Sequence, residues 1–353
     1  MYWVLIGMFA VQFILLLWRG VGLQPLWVML EYLQLASYMP IYNFRLIPYL
    51  YDAYKPALVS HLIIFNNTPF YSGLDDDFFN LNYKYYWLSV GRLAQSFFFY
   101  IVILLIIIIS NIFVFVMSKL NAGPDSFKKW IKTALVQFKF NIYIRFYMMV
   151  YFDLTFFAVM KIVEGNNSTT ARKAALLISY IIFVINIILP VGLIALVFRR
   201  FEILKIKEAK QSFNTLLLKI DKQAKIRVGN AAYFFLRRIV TAVLLTLPIT
   251  STFIFLQYVF VLMTSHAYVL YMVAVKPFKT SSINAYVLAN ETFYSALIIA
   301  IFIFSDATPE MDIKVYAAWA IIVALGLIVV ANAITNIVYL IRGPAKLKED
   351  ART

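Results

Sequence analysis

Runs of about twenty nearly uninterrupted apolar residues recur from Tyr2 to Ile341. A helix needs about 20 such residues to cross a bilayer core of about 30 Å, and no other feature restricts the fold as strongly. Nine runs approach this length: Tyr2–Trp18, Pro25–Tyr42, Leu88–Ser118, Phe140–Ile162, Ala174–Phe198, Ala231–Leu247, Thr252–Val275, Ala285–Phe304 and Val315–Ile341. They are too long for barrel strands and lack alternating polarity. Only 14% of the 353 residues are charged, against about 25% in a soluble domain. With 63% hydrophobic residues and a mean hydropathy of +0.81, the chain cannot be a soluble globule, a disordered chain or a coiled coil. Apolar runs throughout also exclude an ectodomain on a single anchor. The expected fold is all-α, a polytopic transmembrane bundle of about nine spans. The weakest run is Pro25–Tyr42, which Glu31, Gln34 and Pro40 interrupt; it either lies at the interface or packs inside the bundle.

Lys and Arg collect in cytoplasmic loops of such proteins. With the N-terminus outside, 21 of the 32 basic residues fall in inner segments and 7 in outer ones, the remaining four lying in or at the ends of spans. An N-out, C-in topology is therefore expected, and the net charge of +15 needs no nucleic acid to explain it. Glycosylation sequons at Asn66, Asn166 and Asn167 all fall in loops placed outside by this topology. The one at Asn290 lies within a span and is discounted. Met1 leads almost directly into the first run, without the basic region or cleavage site of a signal peptide. A translocated ectodomain ahead of this span is preferred over a first helix that inserts N-out unaided.

The expected organisation is two spans over residues 1–42, an aromatic-rich extracellular loop over 43–87, three spans over 88–198, a basic cytoplasmic linker over 199–230, four spans over 231–341 and a cytoplasmic tail over 342–353. The outer loop carries three prolines and the run Phe78, Phe79, Tyr83, Tyr85, Tyr86, Trp87, so it is expected to be ordered against the helix ends or a partner. In the linker, Phe213, Leu216, Leu217 and Ile220 recur at helical spacing among lysines. This pattern fits an amphipathic helix on anionic inner-leaflet lipids or a solvated helix joining two spans.

Ionisable residues inside spans are costly and mark function or structural pairing. Glu31, Arg145, Asp153, Arg237 and Arg238 form a candidate intramembrane charge network. Arg145 and Asp153 lie about 12 Å apart along one helix face, too far to pair, so each is expected to meet another helix. Arg237 and Arg238 open a span, where snorkelling to phosphates is the plain reading, and Glu31 is a possible buried partner. Glu291, in the first turns of the eighth run, together with Asn332 and Asn336, four apart on the ninth, is a candidate polar path; interhelical hydrogen bonding is the alternative. No residue is expected to be catalytic. Without cysteine and with two histidines, the chain offers no thiol chemistry and no metal cage, and no cofactor is expected.

Several motifs occur in a distinctive order: Pro25-Leu-Trp-Val-Met-Leu-Glu-Tyr-Leu-Gln34, Pro48-Tyr-Leu-Tyr-Asp-Ala-Tyr-Lys-Pro56, Gln137-Phe-Lys-Phe-Asn-Ile-Tyr-Ile-Arg-Phe-Tyr147, Tyr233-Phe-Phe-Leu-Arg-Arg238, Phe255-Leu-Gln257, Val275-Lys-Pro-Phe278, Asn284 and Leu288-Ala-Asn-Glu291. From Pro25 to Ile341 this series resembles the TRP-like, distantly polycystin-like membrane domains that close many large cysteine-rich surface proteins of ciliated protists. The resemblance implies a cation-channel type of fold, a plasma or ciliary membrane location, and an extracellular cysteine-rich ectodomain or other surface subunits as partners. The chain departs from a conducting pattern in its short Ser305–Lys314 loop, which has no Gly-rich turn for a filter. Arg145 also stands without arginines at every third position, unlike a voltage sensor. Two functions are therefore expected to compete: a candidate cation-channel subunit, and a non-conducting membrane anchor and assembly hub.

Overall fold

The computed structural model describes residues 24–41, 46–54, 90–120, 123–136, 142–165, 170–199, 225–246, 251–305 and 310–350. Among these residues the chain is all-helical, without a strand. In chain order the helices are α1 (Gln24–Ser37), α2 (Pro48–Tyr54), α3 (Val90–Leu120), α4 (Asp125–Val136), α5 (Ile142–Glu164), α6 (Thr170–Arg199), the single turn α7 (Lys225–Val228), α8 (Asn230–Thr246), α9 (Ser251–Val275), α10 (Ser281–Ile301) and α11 (Met311–Asp350). Short 3-10 turns follow α1 and α10.

Among the described residues, six helices are long and apolar enough to cross a membrane: those containing Tyr100–Leu120, Ile142–Glu164, Arg172–Gly192, Phe255–Val275, Ser281–Phe304 and Met311–Val338. They make the chain an integral membrane protein of the helical class. Two of the nine expected runs do not appear among these six. Pro25–Tyr42 contains the 14-residue helix α1, about 21 Å long and short of a bilayer core. Ala231–Leu247 becomes the 17-residue α8, which carries two arginines at its centre. The run Tyr2–Trp18 lies outside the described residues, as do Asn66, Asn166, Asn167 and most of the 199–230 linker.

Two groups of helices meet across α1 and α8. On one side α5 packs against α3, α6 and α8; on the other, α9 packs against α10, and α1 against both α10 and α11. Helix α1 is buried almost throughout, from Val28 to Met39, with Glu31 half-buried. Its fate follows from its sequence: the polar residues that spoil it as a lipid-facing span are tolerable where other helices supply partners. The span of α5 is 61% buried and that of α3 only 11%, so α5 is an inner helix and α3 an outer one. The outward Ile101, Leu105, Ile109 and Ile112 of α3, and Leu177, Ile181 and Ile188 of α6, form the apolar surface that lipid requires.

The core is aromatic. Tyr38 meets Phe152 at 5.0 Å and Phe156 at 4.6 Å, and the same cluster reaches Leu297, Ile301 and Phe304 on the α10 side. Helix α2, the described part of the expected outer loop, caps this end. Its Leu50, Tyr51 and Tyr54 are buried, Tyr49 Oη donates to Val315 O at 3.3 Å, and the Tyr49 ring stacks on Trp319 at 5.6 Å.

The α9–α10 turn explains the Val275-Lys-Pro-Phe278…Asn284 motif. Lys276 adopts φ 47°, a left-handed conformation that glycine takes more easily after a helix, and Pro277 prevents the helix from continuing. Asn284 closes the turn. Its Oδ1 accepts from Phe278 N–H at 3.0 Å and its Nδ2 donates to Phe278 O at 2.7 Å. Asn284→Ala is expected to lower stability by about 1–2 kcal/mol through the lost pair. Lys276→Gly is expected to raise it by about 0.5 kcal/mol, since relief of the left-handed strain exceeds the added chain entropy. Thermal unfolding in detergent checks both signs.

A buried charge network as the candidate functional site

Consecutive residues on a helix point about 100° apart, so Arg237 and Arg238 at the middle of α8 must seek different neighbours. Arg237 Nη1 donates to Glu291 Oε1 on α10 at 2.7 Å, and Arg238 Nη1 donates to Glu31 Oε1 on α1 at 3.1 Å. The arginines are 3% and 0% exposed. They are therefore not at a cytoplasmic end snorkelling to phosphates; they sit inside the bundle. Aromatic faces complete their surroundings. The Arg237 guanidinium lies 5.0 Å from the Tyr294 ring and 5.5 Å from that of Tyr268, and the Arg238 guanidinium lies 3.5 Å from that of Phe234. Such cation–π contacts strengthen when desolvated.

Glu291 is likewise deeper than its expected place near a helix end. Helix α10 begins at Ser281 rather than Ala285, which puts Glu291 at mid-helix, 5% exposed. Asn332 does not meet Glu291 but its neighbour: Asn332 Nδ2 donates to Asn290 Oδ1 at 2.8 Å, and Tyr286 Oη donates to Asn332 Oδ1. Asn336 donates to Asn332 O at 2.8 Å and contacts Met29 Sδ at 3.6 Å. The three residues expected to line a path are thus enclosed and occupied in holding α1, α8, α10 and α11 together. Within the cluster, Glu291 Oε2, Arg237 Nη2, Arg238 Nε and Tyr32 Oη are buried polar atoms that find no bond among the described residues.

The network extends to α5 through α1. Glu31, Gln34 and Tyr38 share one face of that segment at spacings of three and four. Gln34 Nε2 donates to Met149 O at 2.8 Å and Tyr38 Oη donates to Asp153 Oδ1 at 3.1 Å. Tyr100 Oη of α3 donates to Asp153 Oδ2. Asp153 is fully buried, and it accepts from the tyrosine hydroxyl just after α1 and from one on α3. Arg145, two turns earlier, is also buried, at 4% exposure.

A second polar cluster lies between α5 and α6, where sequence reading marked nothing. Pro190 lies inside α6 and cannot donate to the carbonyl four residues back. That carbonyl, Asn186 O, instead accepts from Tyr151 Oη at 2.7 Å. The Asn186 side chain is fixed as well: Nδ2 donates to Thr155 Oγ1 at 2.8 Å, and Oδ1 accepts from Tyr147 Oη. The signal was present as Asn186 four residues before Pro190, and as Tyr147, Tyr151 and Thr155 at helical spacing on α5.

These arrangements bind helices to one another. They offer no nucleophile beside a base and no open carboxylate pair. Compared with protein-family models, curated proteins and solved structures, the chain matches none, so its function has to be argued from these side chains.

Proposed function

We propose that this chain is a non-conducting membrane anchor and assembly hub, a TRP-like helical domain that holds an extracellular, cysteine-rich surface complex in a plasma or ciliary membrane. One observation carries the reading: Glu291, Asn332 and Asn336, the polar residues best suited to a permeation path, are each 5% exposed or less, and Glu291 bonds Arg237, Asn332 bonds Asn290, and Asn336 bonds Asn332 O of its own helix and touches Met29 Sδ of α1. Charge inside this bundle works as cement. No catalytic role is assigned to any residue.

The proposed topology keeps the N-terminus outside and the C-terminus inside. It is supported by the basic residues Lys119, Lys128, Lys132, Arg199, Arg227, Lys276 and Lys279, which belong to the helix ends and turns assigned to the inner side. In the same scheme Asn66, Asn166 and Asn167 carry glycans, the linker contacts anionic inner-leaflet lipids, and the outer face receives the ectodomain. Glycan mapping on the expressed chain tests the topology; a cytoplasmic 43–87 loop would overturn it.

The functional test is cation flux through the full chain reconstituted in liposomes. Flux is expected to equal that of protein-free vesicles, and Glu291→Gln is expected to change thermal stability alone. A cation current whose size or pH dependence follows Glu291→Gln would instead establish the second reading, a cation-channel subunit. That reading is favoured by one specific feature, the second carboxylate oxygen of Glu291, which remains buried with no bond among the described residues.

A further inference from the structure

Between Lys119 and Lys139 the chain has five lysines and a single carboxylate, Asp125. Part of this charge stands at the end of a lipid-facing surface. Asn111 Nδ2 of α3 donates to Tyr143 Oη at 2.8 Å, which sets the start of α5 near the level of Asn111. Helix α3 continues to Leu120, about 13 Å further. The overhang is apolar: Ile112, Phe113, Phe115, Val116 and Leu120 are 45–65% exposed, and the apolar span of α3 runs to Leu120. Lipid hydrocarbon therefore has to reach along the overhang as well.

The chain then folds back on itself. Gly123 turns at φ 97°, a conformation that favours glycine, and a Cβ there would stand 2.7 Å from Phe127 Cδ1. Helix α4 follows, 12 residues long, which is about 18 Å and too short to cross. Its Ile131 and Ala134 are buried in a cluster with Ile107 and Val114 of α3 and Ile142 of α5. Phe127 and Trp130 are half-buried and stack at 5.7 Å; a Trp so placed is typical of the membrane boundary. Helical spacing puts Lys128, half-buried, and Lys132, exposed, together on one flank of α4. Lys119 is exposed on α3, one turn beyond Phe115 and two beyond Ile112 on the same face. Its Nζ lies 5.7 Å from the centre of the Phe115 ring. Asp125 occupies the first turn of α4, where the helix dipole favours an anion.

We propose that the α3–α4 corner binds an acidic glycerophospholipid, with its acyl chains along Ile112, Phe115 and Val116 and its headgroup anion on Lys119 and the Lys128–Lys132 flank. A lysine at the end of an apolar stripe matches a molecule that carries hydrocarbon and negative charge together, and long basic side chains extend along such a stripe to reach the phosphate layer. A soluble acidic partner would match the lysines and leave the stripe unexplained; a second copy of the chain would cover the stripe and bring the lysines against their own kind. The inference depends on the helical membrane architecture. It is independent of the 199–230 linker, of the orientation of the chain and of whether it conducts.

The test uses the full chain in phosphatidylcholine nanodiscs doped with a small fraction of photoactivatable phosphatidylserine or, separately, photoactivatable phosphatidylcholine. Both leaflets then have one composition, so the result does not depend on topology. Lipid adducts are mapped by peptide mass spectrometry and normalised to those on the outward Leu177, Ile181 and Ile188 of α6, which carry no such cluster of lysines. The serine lipid is expected to label the Ile112–Val136 segment about fivefold more than the choline lipid, the contribution of a single lysine near an anionic surface. Lys119→Gln alone, and Lys128→Gln with Lys132→Gln, should each reduce this preference, and all three together should abolish it while labelling of α6 persists. Arginine at the same three positions should retain it. Equal labelling by the two lipids on the unsubstituted chain would overturn the proposal before any variant is made. A preference that survives the triple glutamine variant, one that arginine fails to retain, or chain-to-chain contacts at the corner in place of lipid adducts would overturn it as well.

Discussion

Arg237→Met is expected to lower the stability of the folded chain by about 3–5 kcal/mol, the range found when one partner of a buried ion pair is removed. The loss arises from the survivor. Glu291 would remain 5% exposed at mid-helix, with no cation at 2.7 Å. The companion test is the double variant Arg237→Met with Glu291→Met. It removes both charges, keeps similar volumes, and should recover most of the loss, because a well-packed apolar pair often equals or exceeds a buried salt bridge. Thermal unfolding of the purified protein checks the order: both single variants well below the parent, and the double variant close to it. A double variant as unstable as the sum of the singles would mean that the pair does more than neutralise its own burial.

Tyr151→Phe is expected to cost about 1–3 kcal/mol, a large effect for one oxygen atom. The ring keeps its packing against Phe235, 4.7 Å away, so what is lost is the hydrogen bond to Asn186 O. A carbonyl left unpaired inside a membrane bundle carries its full desolvation cost. Pro190→Ala provides the control. Alanine restores a helical N–H to Asn186 O, so Tyr151→Phe should be nearly neutral in that background. Equal losses with and without Pro190 would show that the tyrosine hydroxyl is not what compensates for the proline.

The helical class was readable because it depends on hydrocarbon length, and hydrocarbon length is written directly in a sequence. Six of the apolar runs became helices of spanning length for that reason. What could not be read was which helices end up inside. Glu31 and Gln34 looked like interruptions of a span; each proves to be a contact, to Arg238 and to Met149 O. Their meaning depends on partners 207 and 115 residues away, and periodicity carries no such information. The polar residues of the candidate site were legible as residue types, since charge in a membrane is conspicuous, but their grouping was not. Asn290, dismissed as a chance sequon, binds Asn332, while Glu291 beside it turns to Arg237. A shift of one turn in the start of α10 was enough to move Glu291 from an expected interface to mid-helix. Asn186 and Pro190 were missed because a freed carbonyl has no signature of its own until the tyrosine that satisfies it is seen.

The central position of α1 has a consequence for biogenesis. Arg238 lies 207 residues downstream of Glu31, and Asn336 lies 307 residues downstream of Met29. At about 5–20 residues per second, a ribosome takes roughly 10–40 s to travel from Glu31 to its counter-ion. Throughout that interval a short helix with a carboxylate and an amide has to wait at the insertion site, in the interface or in the care of a chaperone. A nascent chain that stops before α8 never supplies the arginine, so a truncated product keeps the Glu31 carboxylate without its counter-ion.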